Sequence, residues 1–319
     1  MPFFDFGSRK ACSFLFCMVP LIAADTDFNG RWDIRVPNEP RARVWWLGIE
    51  GAGTAAIKGT FVGAPGGDVD TIPKLSAQNG ELTWSFQKRY SAKSSEGIYR
   101  AKIENGRLVG TLTVTGDNSF NRQFEGVRAP QIKDVDDSSW KKGKPVELFN
   151  NKDMTGLHAL VPGKALGWLI KDGILTNVPG ANNLVTDQKF WNFELHAEFR
   201  LGKDSNSGIG LRGRYEVQIL EDFGQPADIH GMGALYGRVV PTKNAGKGPN
   251  EWQTFDIRLV GRTVTVTVNG ERVITKATID GLTAIAHDPN EAYPGPISIQ
   301  GDHGAVEIRK ITLTPLVQR

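Results

Sequence analysis

The chain has 319 residues, of which 37 are glycine and 17 are proline, so we do not expect long helices to dominate. Hydrophobic residues at 39% and charged residues at 23% exclude a disordered chain and are typical of a protein with a packed core. The 38 basic and 35 acidic residues are scattered, so the net charge of +3 gives no indication of nucleic-acid binding. After the N-terminal segment, no apolar run approaches the ~18 residues that cross a bilayer.

Residues 1–24 have the order of a secretory signal peptide. Two basic residues come first, an apolar run follows, and a pair of alanines provides a cleavage site before Asp25. Both cysteines, Cys12 and Cys17, lie in this segment, so the mature chain would contain no disulfide and no cysteine ligand. We therefore expect a periplasmic or secreted bacterial protein that makes no membrane contact after cleavage.

The region 25–130 is predicted to be a small β-rich domain. Residues 99–114 alternate around Asn105-Gly106, a pair that suits the positive φ angles of a two-residue hairpin turn. A meander, a barrel and a sandwich all fit this pattern. Residues 51–56 match a dinucleotide fingerprint superficially, but no helical pattern follows them, so we reject a nucleotide site. A glycan-binding accessory and a stabilising cap remain equal alternatives for this half.

Residues 131–145 are polar and lack periodicity, which predicts a linker, and residues 146–319 again alternate as strands. The segment 193–201 places apolar residues at every second position, and 263–268 ends at an Asn-Gly hairpin signal. Many antiparallel strands without helices between them indicate a two-sheet sandwich or jelly roll. The predicted fold class is therefore all-β, with a jelly roll after a smaller meander or barrel-like domain.

Alternation also predicts a polar face on this second half. Because Val217 and Ile219 suit the core, Glu216 and Gln218 should project to the opposite face. The same argument, applied to two more segments, adds the residues Gly208, Gly210, Arg212, Ser298 and Gln300, with Asp302 and His303 just beyond. If the three strands are neighbours, these residues line one groove in which glycines leave room for a ligand. The alternative is a face that is merely solvated.

Between about residues 146 and 315 the sequence contains a series of ordered motifs. They are Glu147-Leu148-Phe149-Asn150, Asn206-Ser207-Gly208-Ile209, Leu211-Arg212, Tyr215-Glu216-Val217-Gln218-Ile219-Leu220, Gly233-Ala234-Leu235-Tyr236-Gly237, Glu251-Trp252, Val268-Asn269-Gly270, Gln300-Gly301-Asp302-His303-Gly304 and Arg309. In these motifs the chain resembles the 3-keto-disaccharide hydrolase domain family, which has a concanavalin A-like fold. One departure is Leu157, where the family commonly has tryptophan.

The resemblance implies an exported enzyme acting on glycosides whose sugar C3 is a ketone, with hydrolysis or β-elimination after abstraction of the C2 proton. Such a site needs a base for that proton and a cation or donor for the enolate oxygen. On the predicted groove, Glu216 or His303 would be the base and Arg212 the electrostatic stabiliser. The predicted substrate-binding residues are Gln218, Gln300, Asn206, Tyr236 and Trp252. A divalent metal ion is a candidate cofactor, with Asp222, His230 and Asp302 as candidate ligands.

Two other functions stay open at this point. A conventional retaining glucanase needs two carboxylates flanking the bond, and Glu221 would have to turn inward beside Glu216 to supply the second. A non-catalytic, lectin-like carbohydrate-binding protein would instead use exposed aromatics such as Trp45 or Trp46. The combination of Glu, Arg and His favours an enzyme.

Overall fold

The computed structural model describes residues 23–63, 67–90 and 94–318. The predicted signal peptide, with Cys12 and Cys17, lies outside these residues except for its last two alanines. Within the described ranges the helices are two short 3-10 turns, Asp25–Phe28 and Asn118–Phe120, and most remaining regular structure is antiparallel strand. No helix in this part of the chain is long and apolar enough to span a membrane. The predicted all-β class is confirmed.

The first half forms one nine-stranded antiparallel sheet in the order β4-β3-β2-β1-β9-β8-β7-β6-β5. Two residues connect β4 to β5, although these strands are the two edges of the sheet, so the sheet curls until its edges lie close together. The predicted hairpin turn is present, with Asn105 and Gly106 at φ angles of 51° and 77°. The strands are β1 Gly30–Arg35, β2 Trp45–Glu50, β3 Lys58–Val62, β4 Asp70–Thr71, β5 Lys74–Gln78, β6 Glu81–Arg89, β7 Ser94–Glu104, β8 Arg107–Val114 and β9 Arg122–Arg128.

Aromatic side chains fill the inside of this curled sheet. Trp84 stacks on Tyr99 with ring centroids 4.8 Å apart, and Trp45 meets Tyr99 edge-on at 5.7 Å. Trp45 and Trp46 are 1% and 2% exposed, so the sequence-based suggestion that they are exposed aromatics is wrong. Both belong to a strand whose two faces are covered, one by this core and one by the second half of the chain.

The second half folds as two packed sheets with strand orders β13-β14-β23-β16-β19-β20-β21 and β12-β15-β22-β17-β18; β10 and β11 also pair with β23. The strands are β10 Trp140–Lys142, β11 Val146–Glu147, β12 Leu157–Ala159, β13 Trp168–Lys171, β14 Ile174–Asn177, β15 Leu184–Phe190, β16 Phe193–Leu201, β17 Asn206–Leu211, β18 Tyr215–Leu220, β19 Gln253–Val260, β20 Thr263–Val268, β21 Glu271–Thr278, β22 Gly295–Ile299 and β23 Val306–Gln318. Alternate residues of β16 are buried between the sheets, as the sequence pattern predicts. This is the predicted jelly-roll sandwich.

The segment 131–145, predicted to be a linker, is attached to the second half. Its strand β10 pairs with β23, and the Asp136 carboxylate lies 2.9 Å from the guanidinium of Arg258. Asp134 accepts hydrogen bonds from Trp191 and Asn192, each at 2.7 Å. The acidic side chains of this predicted linker thus pair with buried or half-buried donors of the second half.

The two halves share apolar contacts. Val44, Trp46 and Val62 of the first sheet belong to the core cluster of the second half. The Val44 amide donates to the carbonyl of Ala286 at 2.9 Å. Trp46 lies so close to Gly281 that a Cβ there would stand 2.4 Å from its ring. The first half is therefore packed directly against the second.

Candidate active site

The three strands expected to form the groove are neighbours: β22, β17 and β18 lie side by side in the smaller sheet. Gly210 pairs with both Glu216 and Ser298, and Gly208 pairs with Gln218. Paired residues point to the same face, so Glu216, Gln218 and Ser298 share the face opposite the core. The backbone amide of Gln300 donates to the Gly208 carbonyl at 2.9 Å, so Gln300 extends this row.

The two glycines of β17 make space for these side chains. A Cβ on Gly208 would lie 2.4 Å from a Glu216 carboxylate oxygen, and one on Gly210 would lie 2.1 Å from the Ser298 hydroxyl. Neither distance is compatible with a side chain at those positions unless its neighbour moves. The Gly-x-Gly pattern of this strand therefore lets the side chains of Glu216 and Ser298 pack directly against the backbone of β17.

Glu216 is 2% exposed although it points away from the sandwich core. Among the described residues, none makes a hydrogen bond or ion pair with its carboxylate. Burial raises the pKa of Glu216 to about 8, the charge of Arg43 acts to lower it, and that of Asp302 acts to raise it. A buried carboxyl of this basicity, without a partner, is typical of a group that transfers protons.

Other polar atoms around Glu216 are also buried without partners among the described residues. They are the amide oxygens of Gln218 and Gln300 and the hydroxyl of Ser298. The Gln218 amide nitrogen donates to the Asn206 side chain at 3.4 Å, which brings this predicted residue into the site. Buried polar atoms normally have hydrogen-bond partners, so these three groups are available to water or to the polar groups of a ligand.

The first half of the chain reaches this site from two sides. Arg43 lies 3.7 Å from the Asp302 carboxylate, and Asp68 lies 2.7 Å from Nε2 of His230. The His230 ring lies 4.7 Å from that of Tyr236, and the charges of Glu216, Asp68 and Arg43 all act on the Tyr236 hydroxyl, whose pKa burial raises. The predicted residue Tyr236 is therefore in the site. Arg43 and Asp68 were missed, because no motif in the first half marks them.

Arg212 was predicted to stabilise charge in the groove, and the structure contradicts this. Its guanidinium is fully buried and donates to the carbonyls of Trp191 and Gly261 and to the side chain of Asn192, at 2.6–2.9 Å. Strand β17 ends one residue earlier, and Arg212 has a φ of +55°, so strand alternation no longer sets its direction. It holds the turn between β17 and β18 in place.

Trp252 was predicted to bind substrate, and its position contradicts this too. Its ring lies between the guanidinium groups of Arg200, at 4.9 Å, and Arg309, at 4.3 Å. Those arginines extend from the outer face of the larger sheet, where they pair with Glu307 and Glu198. The Trp252 ring is thus stacked on the side of the sandwich away from Glu216.

His303 lies at the rim of the site, 44% exposed, with Nδ1 2.9 Å from the Asp302 carboxylate. The candidate metal ligands are separated: Asp222 accepts from the Met232 amide and from Asn244, both at 3.0 Å, while His230 faces Asp68. Across residues 23–63, 67–90 and 94–318, no three His, Cys, Asp or Glu side chains come together in a way that could hold a metal ion.

Comparison with known proteins identifies a family for the second half of the chain. The model of a family described as the 3-keto-alpha-glucoside-1,2-lyase-like domain matches residues 144–314. Among solved structures, a candidate glycosyl hydrolase from Parabacteroides distasonis ATCC 8503 is 27% identical, covers 58% of this chain and 91% of its own, and has a TM-score of 0.47. A second from the same organism is 20% identical over 54% of this chain and 94% of its own, with a TM-score of 0.45.

The endo-beta-1,3(4)-glucanase SCLam of family GH16 is 10% identical over 60% of this chain and 96% of its own, with a TM-score of 0.36. No curated protein matches the chain. The family match covers more than half of the sequence and confirms the resemblance to the 3-keto-disaccharide hydrolase domain family. The molecule is a carbohydrate-active, glycosidase-like protein, and its chain belongs to the family of the 3-keto-alpha-glucoside-1,2-lyase-like domain.

Proposed function

We propose that this protein cleaves glycosides whose sugar carries a ketone at C3, with Glu216 as the base that removes the C2 proton. The observation that carries the proposal is the buried Glu216 carboxyl without a partner, set among unpaired amide and hydroxyl groups. Because its pKa is about 8, its ionised form is a stronger base than an ordinary carboxylate. A base of this strength suits a proton made acidic by an adjacent ketone.

The chemistry balances without an oxidant or reductant. The C3 ketone withdraws electrons from the C2–H bond, Glu216 takes the proton, and the electron pair forms an enolate. These electrons then form the C1–C2 double bond and expel the leaving-group oxygen from C1. The leaving group takes up a proton from solvent, and Glu216 returns its own proton to solvent before the next turnover. If water adds to the resulting enone at C1, the overall outcome is hydrolysis; if it does not, the enzyme is a lyase.

The surrounding residues supply the other requirements of this reaction. Arg43 takes the place that the sequence suggested for Arg212, as the cation whose charge acts on the Glu216 pocket. A positive charge there stabilises the enolate oxygen as it develops. The unpaired groups of Gln218, Ser298 and Gln300 are suited to the sugar hydroxyls. This assignment uses both halves of the chain.

The two alternatives fit the site less well. A retaining glucanase needs two carboxylates about 5–5.5 Å apart. Glu221, the expected second carboxylate, accepts a hydrogen bond from the Asp204 amide at 3.0 Å at the end of β18. A lectin would use exposed aromatic platforms, but Trp45 and Trp46 are buried. The geometry therefore favours proton abstraction by a single carboxylate.

Incubation of the purified protein with a glucoside and with its 3-keto counterpart tests the proposal. We expect release of the aglycone from the keto substrate alone. Chromatography of the sugar products from both incubations would measure it. Cleavage of the unoxidised glucoside would favour the glucanase alternative. Binding of both compounds without cleavage of either would favour the lectin.

We also propose that the protein is exported and that the mature chain starts near Asp25. The described fold uses residues from this point: Asp25 accepts a hydrogen bond from the Gly80 amide at 2.8 Å, and Phe28 is fully buried in the first core. Intact-mass measurement on material from the periplasm or medium should give a chain beginning near Asp25. Retention of Met1 in that material would contradict cleavage.

A further inference from the structure

A cleft of about 230 Å³ opens between the first half of the chain and the jelly roll. Its walls come from Pro40 and Arg41 on one side and from the segments 161–164, 182–183 and 302–303 on the other. It adjoins the Glu216 pocket through Asp302, which lines the cleft and whose charge acts on Glu216. Asp302 therefore faces both the cleft and the surroundings of Glu216.

Two asparagine side chains hold the jelly-roll wall of the cleft in place through hydrogen bonds to the backbone. The Asn182 side chain accepts from the Val161 amide at 3.0 Å and donates to the Val161 carbonyl at 2.8 Å. The Asn183 side chain accepts from the amides of Gly301 and Asp302, at 2.8 and 3.1 Å. These side-chain amides fix the backbone of the jelly-roll wall, so this side of the cleft is formed before any ligand enters it.

Positive charge exceeds negative charge around this space. Arg41, Arg43 and Lys164 bring three cations, against one carboxylate, Asp302. That carboxylate already pairs with Arg43 at 3.7 Å and with His303 at 2.9 Å. Among the described residues, Arg41 has no carboxylate partner for its guanidinium, and the Lys164 ammonium donates to the Ala181 carbonyl at 2.8 Å. Two cations therefore remain available to a ligand.

We propose that this cleft is the subsite for the leaving group of the glycoside, and that Arg41 and Lys164 select a leaving group that carries a carboxylate. The inference rests on the proposed function for the direction of the substrate, because the sugar ring is placed over Glu216. It also gives the first half of the chain a role in specificity, since Arg41 lies outside the matched family domain.

Equilibrium binding of two matched, unoxidised ligands tests the subsite without requiring turnover. The probes are the glucosides of 4-hydroxybenzoate and of 4-hydroxybenzamide, each as both anomers, measured by titration calorimetry with the full chain. They differ in charge and have nearly the same shape. We expect the benzoate glucoside to bind about threefold to tenfold more tightly at low salt, with the difference shrinking at high salt.

The double substitution Arg41→Gln and Lys164→Gln should make the two affinities equal. Both side chains are exposed, so the fold should persist, which thermal unfolding can verify. Arg35→Gln, the same loss of charge at an exposed position on β1, is the matched control and should keep the preference. Equal affinities in the unaltered protein, an undiminished preference in the double variant, or no measurable binding of either probe would overturn the subsite.

Turnover of the corresponding 3-keto glucosides separates this inference from the proposed function. If the charged ligand binds preferentially but neither keto substrate reacts, the subsite stands and the chemistry assigned to Glu216 is wrong. If both keto substrates react with equal KM and kcat and bind equally, the chemistry stands and the subsite is wrong. If the subsite and the chemistry are both as proposed, the benzoate substrate should have a lower KM than the benzamide substrate and a similar kcat.

Discussion

Two carboxyl groups in this molecule are buried and strongly basic, yet their surroundings differ. Asp33 of β1 is 1% exposed, and burial together with the charge of Glu291 raises its pKa to about 9. Glu216 of β18 is 2% exposed, and burial raises its pKa to about 8. The first lies at the junction of the two halves, and the second lies in the groove of the smaller sheet.

The surroundings of Asp33 are closed by charged groups that already have partners. Arg262 binds both oxygens of Glu291, at 2.6 and 2.9 Å, and Arg214 pairs with Asp288 at 2.8 Å. The Tyr215 hydroxyl donates to Glu291 as well. Among the described residues, both oxygens of Asp33 are themselves buried without a hydrogen-bond partner, but the carboxylate and the two arginines around Asp33 are already paired.

Glu216 is surrounded by groups that lack partners, and glycines leave room above the backbone beside it. The comparison shows that a raised pKa does not by itself identify a catalytic carboxyl, because burial produces it in both places. The unsatisfied neighbours and the adjoining cleft distinguish the functional group from the structural one. Parallel substitutions at the two positions can test this distinction.

The largest expected effect comes from Glu216→Gln. The amide keeps the size of the side chain but cannot accept the C2 proton, so turnover of a 3-keto glucoside should fall by about 10²–10⁴-fold. Asp33→Asn is the matched control, because it makes the same isosteric change in the other buried carboxyl, and it should leave kcat within about twofold. Initial rates of aglycone release measure both. Loss of activity in Asp33→Asn alone would reverse the assignment.

The pH dependence of kcat/KM should follow the proton affinity of Glu216. The base works in its ionised form, so kcat/KM should rise with pH and level off above an apparent pKa of about 8. Well below that value, each pH unit should change the rate about tenfold, because the ionised fraction changes by that factor. Measurements of kcat/KM between about pH 5.5 and 9.5, at roughly every half pH unit, would show this rising limb of the pH profile. A plateau already reached at pH 6 would exclude a base of this pKa.

Arg43 and Asp302 should shift this limb in opposite directions. The cation of Arg43 lowers the pKa of Glu216, so Arg43→Gln should move the limb to higher pH and reduce kcat/KM at pH 7 by about tenfold or more. The charge of Asp302 raises that pKa, so Asp302→Asn should move the limb to lower pH. Arg35→Gln serves as the control for charge loss, and Arg43→Lys should restore the position of the limb. If the limb lies at the same pH in Arg43→Gln and in Asp302→Asn, the charge of Arg43 does not act on Glu216.

These residues also show which parts of the site the sequence could predict. Glu216, Gln218 and Ser298 lie on short strands where period-two alternation fixes the face, so their shared position followed from the pattern. Gln300 directly follows the end of β22, and its backbone amide still donates to the Gly208 carbonyl, which keeps it in the row. Arg212 was placed wrongly because the strand ends at Leu211 and a positive φ turns the next side chain into the interior. Alternation gives directions only while the strand continues.

Arg43 and Asp68 could not be found in this way, because they enter the site through the packing of the first half against the second. Each lies outside a strand, and a single sequence contains no signal for which loop contacts which groove. The fold of each half was predictable, since hairpin turns and alternation are local. Their junction depends on long-range contacts such as Trp46 against Gly281, which local patterns do not encode.

Asp33→Asn, the control that should leave turnover nearly unchanged, should change how the free energy of unfolding depends on pH. The pKa of Asp33 is about 9 in the folded protein, above its ordinary value, so the folded state binds one more proton than the unfolded state between pH ~4 and ~9. The free energy of unfolding therefore falls as pH rises through this window, by about 1.4 kcal/mol per pH unit for one proton. Asparagine does not titrate, so the variant should lose this slope. Denaturant unfolding at pH 5, 6.5 and 8, values chosen to span roughly the middle of the window, would measure it; an unchanged slope would contradict the raised pKa.

The smallest effect on activity is expected from Trp252→Ala. If Trp252 were a stacking platform for the sugar, as the family motif suggested, its loss would raise KM by tenfold or more, on the order of 1.4 kcal/mol. The structure stacks its ring between Arg200 and Arg309 on the outer face of the larger sheet. Two half-exposed cation–π contacts contribute about 1–2 kcal/mol together, so the free energy of unfolding should fall by that amount while KM and kcat stay within about twofold. Steady-state kinetics and denaturant unfolding of the same preparation separate the two quantities. A raised KM with unchanged stability would mean that substrate reaches the outer face of the sandwich, and that the groove over Glu216 is not its sole binding surface.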